Sequence, residues 1–560
     1  MQPSAPHRTG GQVLVDALRI HGVERAFCVP GESYLAVLDA LYDARDAIDL
    51  VVCRQEGGAA YMAEAYGKLT GKPGICFVTR GPGATNASVG VHTAYQDSTP
   101  MILFIGQVAR DQRDREAFQE IDFRAMYAPL AKWVVQIDDA RRIPELLSQA
   151  FHRALNGRPG PVVVALPEDM LTEVVEVADA GPVQAIEPHA SAADMQALRH
   201  LLGLAERPLM ILGGGGWNAR AVADIRRFAE RHDLPVAASF RCQDLLDNTH
   251  PNYAGDLGFA AGPKLVQAVK DADLLLVVGS RLGEVSTNGY STLDIPVPRQ
   301  ALVHVHPGIE ELGRVYQPTL GINSGMTAFA ALAAEMPEID GKRSPDWTGA
   351  LNRNYRDNLV PTTSPGPVQM AEIIAWLRER LPADAILTNG AGNYAVWLQR
   401  FYQFRTFRTQ LGPTNGSMGY GVPAAVAAKL TCPDRIVVAF SGDGCFLMNG
   451  QEIATAASYG ANVIFIVVNN GMYGTIRMHQ ERHYPGRVSG TDLHNPDFAA
   501  LARAHGLHGE TVERTEDFAP AFERSAAAGR PALIEVRIDP EAITPRQSLS
   551  QIRREAQGQR

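Results

Sequence analysis

The chain alternates short apolar runs with longer amphipathic segments along most of its length. Near the N-terminus, the apolar run 26–30 precedes a helix predicted over 34–42, and the apolar run 48–53 precedes one predicted over 57–69. Strands that are buried on both faces read as continuous apolar runs, and the helices that cover them carry one apolar face. This alternation predicts an α/β fold of doubly wound parallel sheets.

Two polar connectors that contain Pro, Ser or Ala interrupt the alternation. The first follows the apolar segment 157–170, and the second covers residues 340–367. A chain of 560 residues is also too long for one hydrophobic core. We therefore predict three doubly wound α/β domains, which span residues 1–180, 190–340 and 365–545.

Composition narrows the class of partner. The chain has 52 basic and 61 acidic residues and a net charge of -9, which argues against broad nucleic-acid binding. The N-terminus lacks a basic segment followed by an apolar one, and no apolar run approaches the roughly 18 residues of a membrane helix. We expect a cytoplasmic protein that acts on small molecules, with no membrane partner.

The cysteines show no paired spacing. None of them forms a C-x-x-C motif, and most lie in or beside apolar runs, which is typical of buried free thiols. They are Cys28, Cys53, Cys76, Cys242, Cys432 and Cys445.

A glycine–acid–glycine turn is the most informative local feature. A strand predicted over 435–440 delivers Asp443, between Gly442 and Gly444, to a tight turn in which backbone N–H groups can approach an anion. A second strand, predicted over 462–468 after a helix over 449–459, ends at an Asn-Asn pair that contains Asn470. Because Mg²⁺ combines a few protein oxygens with phosphate oxygens, this spacing indicates a site for Mg²⁺ and a diphosphate.

The whole segment 441–474 resembles the metal and diphosphate motif of thiamine-diphosphate enzymes. Asp443, Asn470 and the backbone carbonyl of Met472 are the Mg²⁺ ligands that the resemblance implies. The competing phosphate loop G-x-x-x-x-G-K-[ST] does not occur in the chain. The flanking cofactor-binding positions that the resemblance implies are Gly442, Gly444, Tyr473 and Gly474.

Glu56 lies between an apolar strand and an Ala/Gly-rich helix. As a lone acid it is typical of a helix start, where the helix dipole favours negative charge. The resemblance instead implies that Glu56 hydrogen-bonds N1′ of the cofactor's aminopyrimidine and manages its proton. We therefore interpret Glu56 as a catalytic and cofactor-binding residue.

Other positions follow from the resemblance in the first domain. It implies that Gly31, Pro82 and Asn86 approach the pyrimidine side of the cofactor. It also implies that Phe118 and Gln119 face the substrate and that Gln119 is catalytic. An isolated glutamine is more often a surface residue, so that alternative stays open for Gln119.

A second glycine-rich region precedes the metal motif. The resemblance implies that Met418 separates the two rings of the cofactor and bends it, although a methionine is often flexible core filler. It further implies that Gly390, Gly392, Asn393 and Gly416 bind the cofactor.

The segment after the metal motif departs from acetolactate synthases, as does the stretch before Trp397, which lacks their Gln-His-Gln run. Ile476, Arg477 and His479 occupy positions where such enzymes select substrate side chains. Arg477 could pair with a substrate carboxylate. Alternatively, residues 477–483 form a solvated helix face, and both interpretations stay open.

The middle domain shows weak signs of a nucleotide site. It carries a glycine run at 213–216 without the spaced G-x-G-x-x-G pattern. The segment 253–259 replaces a flavin stretch of the related synthases, and His304 and His306 replace their later acid. We interpret this as a remodelled or empty site, which argues against FAD.

The turns at 77–86 and 440–449 look alike, as a strand followed by a glycine turn and a helix. This likeness suggests an internal duplication of the outer domains. Glycine turns after strands are common, so coincidence is the alternative.

Taken together, the resemblance covers nearly the whole chain and is strongest to acetolactate synthase-like large subunits. It implies an enzyme that uses thiamine diphosphate and Mg²⁺ on 2-oxoacid or ketone substrates, first decarboxylating and then transferring an acyl group. A non-ligating decarboxylase, a 2-hydroxyketone lyase and a nucleotide-binding protein with an inert thiamine site are the alternatives. The family architecture implies a homodimer, or a homotetramer built as a dimer of dimers, in which Glu56 of one copy faces Asp443 of another.

Overall fold

A computed structural model describes residues 7–558. The chain divides into two compact units. The first contains the residues up to Ile186 together with Val426–Thr431, and the second contains Glu187–Ala425 and the residues from Cys432 onward.

The first unit is a parallel six-stranded sheet with helices, and a small two-stranded sheet lies beside it. The large sheet has the order β3-β2-β4-β5-β7-β6, while β1 and β8 pair with each other antiparallel. Its strands are β1 (His7–Thr9), β2 (Arg25–Cys28), β3 (Asp49–Val52), β4 (Gly74–Val78), β5 (Met101–Gln107), β6 (Trp133–Gln136), β7 (Pro161–Pro167) and β8 (Val174–Glu176). Its helices are α1 (Gly10–Ile20), α2 (Leu35–Asp43), α3 (Glu56–Thr70), α4 (Pro82–Asp97), α5 (Phe123–Tyr127), α6 (Ile143–Leu155) and α7 (Glu168–Thr172).

The second unit contains two further six-stranded parallel sheets. The first of them has the order β11-β10-β9-β12-β13-β14. Its strands are β9 (Pro208–Leu212), β10 (Val236–Ser239), β11 (Tyr253–Leu257), β12 (Leu274–Val278), β13 (Ala301–His306) and β14 (Leu320–Asn323). The helices of this part are α8 (Ala192–Leu204), α9 (Ala219–Arg231), α10 (Pro263–Asp271), α11 (Met326–Ala334) and α12 (Trp347–Asn358).

The last sheet has the order β16-β15-β17-β18-β20-β19. Its strands are β15 (Ile386–Asn389), β16 (Gln410–Leu411), β17 (Val437–Gly442), β18 (Ile464–Asn469), β19 (His508–Val512) and β20 (Ala532–Arg537). Its helices are α13 (Met370–Arg380), α14 (Tyr394–Phe401), α15 (Gly421–Thr431, of which Val426–Thr431 belongs to the first unit), α16 (Asp443–Asn449), α17 (Ile453–Ser458), α18 (Gly474–His483), α19 (Phe498–Ala504), α20 (Thr515–Ala527) and α21 (Leu549–Gly558). The prediction of parallel α/β domains is confirmed.

The outer two sheets share one topology. Numbered within each sheet, the strands of both follow the order 2-1-3-4-6-5, whereas the middle sheet follows 3-2-1-4-5-6. In both outer sheets a strand-to-helix junction that contains glycine follows the third strand, after β4 in one and after β17 in the other. This shared order supports the internal duplication.

Central strands are apolar because helices cover both faces of each sheet. All residues of β5 and β7 are buried, as are all residues of β9 and β12. Burial at about 25 cal/mol per Å² of apolar surface therefore drives the formation of each layer. The carboxyl ends of the strands are left for the connecting turns, which is where such folds bind ligands.

Several helices and strands begin or end at other residues than the sequence predicted. The strand predicted over 435–440 is Val437–Gly442, and the helix predicted over 449–459 is instead α16, one turn of 3-10 helix and α17. The interpretation of Asp443 as part of a tight turn was wrong, because Gly442 is extended at φ -73 and Asp443 is the first residue of α16. Neither neighbouring glycine needs a left-handed backbone here.

The thiol prediction is confirmed in most positions. All six cysteines are free, and Cys28, Cys53, Cys76 and Cys445 are buried. Cys242 and Cys432 are half-buried. No helix within residues 7–558 is long and apolar enough to cross a membrane.

Candidate active site

Glu56 is the first residue of α3 in the first unit. The Gln55 side chain caps this helix by accepting from Gly58 N at 3.0 Å, so that the Glu56 carboxylate is not needed as the cap. Its Oε2 accepts a hydrogen bond of 3.0 Å from Asn86 Nδ2. Its Oε1 lies beside Gly83, where an added Cβ would be 3.4 Å away. The structure therefore leaves Oε1 available to a ligand's N–H group.

The turn before α4 brings Gln119 to the same end of the sheet. Gly81 has φ 58, and a Cβ added to it would lie 2.7 Å from Gln119 Cβ. The Gln119 backbone is itself left-handed at φ 66, and its Oε1 is buried without a hydrogen-bond partner in residues 7–558. An unpaired buried amide oxygen is costly and often marks a ligand position. Gln119 is therefore not the surface residue of the alternative interpretation.

The other predicted residues of this unit differ in exposure. Phe118 is 74% exposed, and its backbone carbonyl accepts from Arg80 Nε at 3.2 Å, which fixes the loop. Pro82 and Asn86 are exposed on the first turns of α4. A Cβ added at Gly31 would lie 2.4 Å from Thr79 Cβ, so Gly31 permits the close packing of two loops.

In the second unit, Asp443 is buried at the carboxyl end of β17. Burial raises the pKa of its carboxyl, while a hydrogen bond of 2.7 Å from Asn495 Nδ2 opposes that rise. Desolvating a carboxylate without a countercharge is unfavourable. The site is therefore electrostatically incomplete in a way that a bound cation would correct.

Asn495 is a residue that sequence reasoning missed. Its Nδ2 donates to both Asp443 Oδ2 and, at 2.9 Å, Asn469 Oδ1, so it joins the two strand ends. Its Oδ1 is buried and has no hydrogen-bond partner among the described residues. Only the pattern His-Asn-Pro-Asp before α19 marks this position, and that pattern also occurs at ordinary helix starts.

The two asparagines at the end of β18 make different contacts. Asn469 donates to Glu535 Oε1 at 2.7 Å and is thereby fixed to the neighbouring strand. Asn470 is half-buried, and its Oδ1 accepts only a long bond of 3.3 Å from Met472 N. Asn470 therefore keeps oxygen lone pairs available, as its predicted role requires.

Met472 is held by the segment that carries Asn495. Tyr473 N donates to Thr491 O at 2.8 Å, and Leu493 N donates to Gly471 O at 2.9 Å. The two bonds flank Met472, and the Met472 carbonyl takes part in neither of them. A carboxylate, an amide oxygen and a carbonyl are hard-oxygen donors of the kind that suits Mg²⁺, and the predicted ligand set stays a prediction.

The glycines here provide space. A Cβ added at Gly444 would lie 2.5 Å from the ring of Tyr473, so any side chain at 444 would displace the metal loop. A Cβ added at Gly442 would likewise approach the Tyr394 ring. One added at Gly474, the first residue of α18, would approach the Asn470 side chain.

The loop after β15 forms a hydrogen-bonded wall of this site. The Gly390 carbonyl accepts from Arg241 Nη2 at 2.8 Å and from Asn389 Nδ2 at 2.7 Å. Asn393 exchanges bonds of 3.0 Å with Thr475, through its backbone N and its Oδ1. Asn393 therefore joins this loop to the start of α18, which the sequence did not indicate.

The glycine-rich loop before α15 positions Met418. Gly416 at φ 72 and Gly419 at φ 79 are left-handed, and Gly392 also has a positive φ of 149. Met418 is half-buried and packs against the core of the last sheet. Its placement is compatible with the predicted bending role, which stays a prediction.

The helix α18 carries both exposed and buried side chains. Ile476 is 55% exposed and His479 is exposed, so both remain candidates for substrate contact. Arg477 is not on a solvated face, because its Nε donates at 3.1 Å to Glu481, which is buried. The interpretation of residues 477–483 as a solvated helix face was therefore wrong for Arg477 and Glu481.

Glu481 also fixes α18 to the C-terminal helix. Arg553 in α21 donates to both of its oxygens, at 2.7 and 2.6 Å. These charged bonds lower the pKa of Glu481 to about 2, with Arg553 as the largest cause. The resulting stability is present above the unfolded pKa of about 4.3 and is lost as pH falls toward 2.

We expect Arg553→Ala to destabilise the protein by about 1.5–3 kcal/mol, the usual value of hydrogen bonds to charged groups. Denaturant unfolding at pH 7 measures this, and the difference should shrink below pH 4. Arg554→Ala is the matched control, because Arg554 is the exposed neighbour on the same helix. Equal stability of the two variants would contradict the anchoring role.

Comparison with known families matches three consecutive parts of the chain. The thiamine pyrophosphate enzyme N-terminal TPP binding domain matches residues 8–126, the central domain matches 195–332, and the C-terminal TPP binding domain matches 390–536. An acetolactate synthase large subunit of Parasynechococcus marenigrum is 34% identical over 95% of this chain and 87% of its own length. The chain belongs to the thiamine pyrophosphate enzyme family.

Other relatives of this thiamine pyrophosphate enzyme show the same full-length likeness. Acetolactate synthase isozyme 2 large subunit of Escherichia coli is 31% identical over 95% of both chains. The acetolactate synthase large subunit of Lactococcus lactis is 31% identical over 95% of this chain and 92% of its own length. The recognition of the family from sequence is confirmed.

In this thiamine pyrophosphate enzyme, the histidines of the middle sheet make backbone contacts. His304 Nε2 lies 2.9 Å from Ser280 O, and His306 Nδ1 lies 3.1 Å from Gly308 O. Both are buried, and burial lowers the pKa of His304. The two histidines that replace an acid of the related synthases are therefore accommodated by contacts with backbone carbonyls. The expectation that the middle domain does not bind FAD stays a prediction.

Proposed function

We propose that this protein is a thiamine-diphosphate and Mg²⁺ dependent enzyme that decarboxylates a 2-oxoacid and transfers the acyl group to a second carbonyl compound. The observation that carries the proposal is the oxygen donor set of Asp443, Asn470 and Met472 at adjoining strand ends. Its surroundings support a cation, because Asp443 is buried with only amide and backbone N–H groups around it. Full-length likeness to proteins named acetolactate synthase supports the reaction class.

When bound, the cofactor supplies the carbon nucleophile and the electron sink that a 2-oxoacid needs to lose CO₂. Glu56 Oε1 would hold a proton at the cofactor's N1′, and Asn86 keeps the carboxyl in place through Oε2. Proton transfer at that position is efficient when donor and acceptor have similar pKa values.

The second unit would hold the diphosphate end of the cofactor. Asp443, Asn470 and the Met472 carbonyl would hold Mg²⁺, which would supply positive charge for the diphosphate. Asn495 restricts Asp443 to one orientation by the bond to Oδ2. Met418, which the glycine-rich loop positions against the core of the last sheet, would limit the conformations of the cofactor.

Gln119 is the residue that we assign to the reacting carbonyl groups. Its buried Oε1 lacks a partner, and its backbone is fixed beside Gly81. Ile476 and His479, on the exposed face of α18, contact the variable side chain of the substrate or acceptor. Arg477 is assigned a structural role instead, because its Nε already donates to Glu481.

We further propose that the working unit contains two copies of the chain. Glu56 of one copy and Asp443 of the other then act on opposite ends of one cofactor. A homodimer satisfies this requirement, and so does a dimer of dimers.

Product analysis tests the reaction class. The purified protein with Mg²⁺ and thiamine diphosphate is incubated with pyruvate and with longer and aromatic 2-oxoacids, and CO₂, aldehydes and acyloin-type products are quantified by mass spectrometry. We expect CO₂ release with a ligated product such as acetolactate. Aldehyde as the sole organic product would replace the proposal by simple decarboxylation, and no turnover of any 2-oxoacid would contradict both.

Asn495→Ala should weaken Mg²⁺ binding without abolishing it. Loss of a group that orients a metal ligand typically costs about 10–100-fold in metal affinity. The Mg²⁺ concentration that half-saturates cofactor binding, followed by quenching of tryptophan fluorescence, should rise accordingly. Asn462→Ala is the control, because Asn462 is exposed in the same part of the chain. An unchanged Mg²⁺ requirement in Asn495→Ala would contradict the orienting role.

A further inference from the structure

Gln119 lies in an irregular segment between the 3-10 helix Arg110–Gln112 and α5. Residues 113–122, which form the Gln119 loop, contain no regular helix or strand. Three non-glycine residues of this loop have a left-handed backbone, with φ 62 at Asp114, 53 at Glu116 and 66 at Gln119. Such conformations are unfavourable and persist only where surrounding contacts enforce them. The contacts that enforce the Gln119 loop therefore decide where the Gln119 side chain lies.

Glu120 closes the Gln119 loop on itself. Its Oε1 accepts a hydrogen bond of 2.8 Å from Asp114 N, and its Oε2 accepts one of 2.9 Å from Ala117 N. The Glu120 backbone N also donates to Ala117 O at 2.9 Å. The two N–H groups lower the pKa of Glu120, with Asp114 as the largest cause, so the carboxyl is charged at neutral pH and accepts strong bonds. One side chain therefore joins both ends of the segment 114–120.

Arg80 fixes the same loop from the side of the sheet. It lies two residues after β4 and is 8% exposed, and its Nε donates to Phe118 O at 3.2 Å. Its Nη1 donates to Glu168 Oε2 at 2.8 Å, which holds the guanidinium in place. Arg80 and Glu120 therefore hold the residues on either side of Gln119.

An acid in a surface loop often does no more than stabilise a local turn. The Gln119 loop differs from such a turn in the side chain that it presents. Gln119 Oε1 is buried and has no hydrogen-bond partner within residues 7–558. An unpaired buried amide oxygen does not stabilise the fold, so its enforced position indicates a ligand.

We infer that Glu120 is a positioning residue for Gln119, which it holds against the reacting carbonyl group of the substrate by closing the Gln119 loop. The inference rests on the proposed function, in which Gln119 binds that carbonyl group. Glu120 acts through Gln119 and not on the substrate, because both of its carboxylate oxygens accept from N–H groups of its own loop. Removal of the Glu120 carboxylate should therefore misplace Gln119 and leave the cofactor-binding residues unchanged.

Limited trypsin digestion of the full chain tests the closure of the loop without any substrate. Arg113 and Arg115 are exposed cleavage sites within the loop. Cleavage at these sites, followed by peptide mass spectrometry, should be about tenfold faster in Glu120→Ala than in the parent, because the loss of two hydrogen bonds makes local opening more frequent. Glu120→Gln keeps one acceptor oxygen and should give an intermediate rate. Asp111→Ala is the control and should match the parent, because Asp111 is an exposed acid just before the loop.

Steady-state kinetics test the action through Gln119. The kcat/KM for the 2-oxoacid should fall about 10- to 100-fold in Glu120→Ala, because misplacing a group that binds the reacting atoms has an effect of this size. The affinity for thiamine diphosphate and the rate of proton exchange at carbon 2 should keep the parent's values, which a general loss of structure would not allow. The double variant of Gln119→Ala with Glu120→Ala should be no slower than Gln119→Ala alone, because residues that act as a unit are not additive.

The inference is overturned if trypsin cleaves Glu120→Ala at the parent's rate. It is also overturned if Glu120→Ala keeps the parent's kcat/KM, or if the losses of Gln119→Ala and Glu120→Ala multiply in the double variant. Thermal melting verifies that each variant is folded, and Glu120→Gln replaces Glu120→Ala if the latter does not fold. A parent that turns over no 2-oxoacid would contradict the proposed function, and the trypsin result alone would then decide whether Glu120 holds the Gln119 loop.

Discussion

Asp443→Ala is expected to abolish turnover by preventing Mg²⁺-dependent binding of thiamine diphosphate. Asp443 is the only carboxylate in the proposed donor set, and Asn470 and the Met472 carbonyl are neutral. Removing the charge leaves a divalent ion with amide and carbonyl ligands in a buried position. Desolvation of the ion would then be uncompensated, so affinity should fall by several orders of magnitude.

The measurement is a titration of each protein with thiamine diphosphate at saturating Mg²⁺. Asp434→Ala is the matched control, because Asp434 is an exposed acid shortly before the same strand. Asp443→Asn keeps the shape and the contact with Asn495, and it should lose affinity nearly as strongly. Cofactor binding by Asp443→Ala at the parent's affinity would remove Asp443 from the site.

Glu56→Gln is expected to leave cofactor binding intact and to slow proton exchange at carbon 2 of the bound cofactor. Glutamine can still accept from Asn86, but it cannot carry or release a proton at Oε1. General acid–base groups contribute about 10²–10⁴-fold to rates, so a loss in that range is expected for both exchange and turnover.

Hydrogen–deuterium exchange at carbon 2, followed by acid quench and proton NMR, measures this step without any substrate. Glu176→Gln is the control, because Glu176 is an exposed acid of the same unit. The affinity of Glu56→Gln for thiamine diphosphate should remain within a few-fold of the parent's affinity. This comparison separates a defect in proton transfer from a defect in the fold. Exchange at the parent's rate would contradict the role of Glu56.

The sequence predicted the sheets well because their periodicity is simple. Buried parallel strands such as β7 and β12 are continuous apolar runs, and this pattern does not depend on distant contacts. The positions of Asp443 and Asn470 at strand ends could be predicted in the same way, because the end of an apolar run is recognisable in the sequence. The division into domains at 180, 190, 340 and 365 stays a prediction.

The sequence-based prediction was wrong about the backbone conformation at the two glycines beside Asp443. The Gly-Asp-Gly segment suggested a turn, whereas Gly442 is extended and Gly444 lies within α16. Glycine is required at 444 because the Tyr473 ring occupies the space of a Cβ, and that ring comes from a segment 29 residues along the chain. Such close approaches are set by tertiary packing and leave no local trace.

Contacts between distant segments were missed for the same reason. Asn495 contacts Asp443 across 52 residues, and Arg553 contacts Glu481 across 72. The charged sequence 477–483 looked like a solvated face, because its neutralising partner lies on the C-terminal helix. One sequence without homologues carries no signal that joins such pairs.

The most direct test of the account is complementation between two inactive variants. Glu56→Gln and Asp443→Ala are co-expressed with different affinity tags, and the mixed assembly is purified through both tags. If Glu56 of one copy and Asp443 of the other serve one cofactor, a mixed dimer contains one site with both changes and one site with neither.

The account predicts that the mixed assembly regains 2-oxoacid turnover, whereas assemblies that carry only one of the variants stay inactive. Differently tagged copies that both carry Glu56→Gln provide the control for co-expression, because every site in that assembly keeps the changed Glu56 position and should stay inactive. A doubly tagged assembly of Glu56→Gln and Asp443→Ala that is folded but inactive would contradict the central claim that two copies of the chain build one thiamine-diphosphate site.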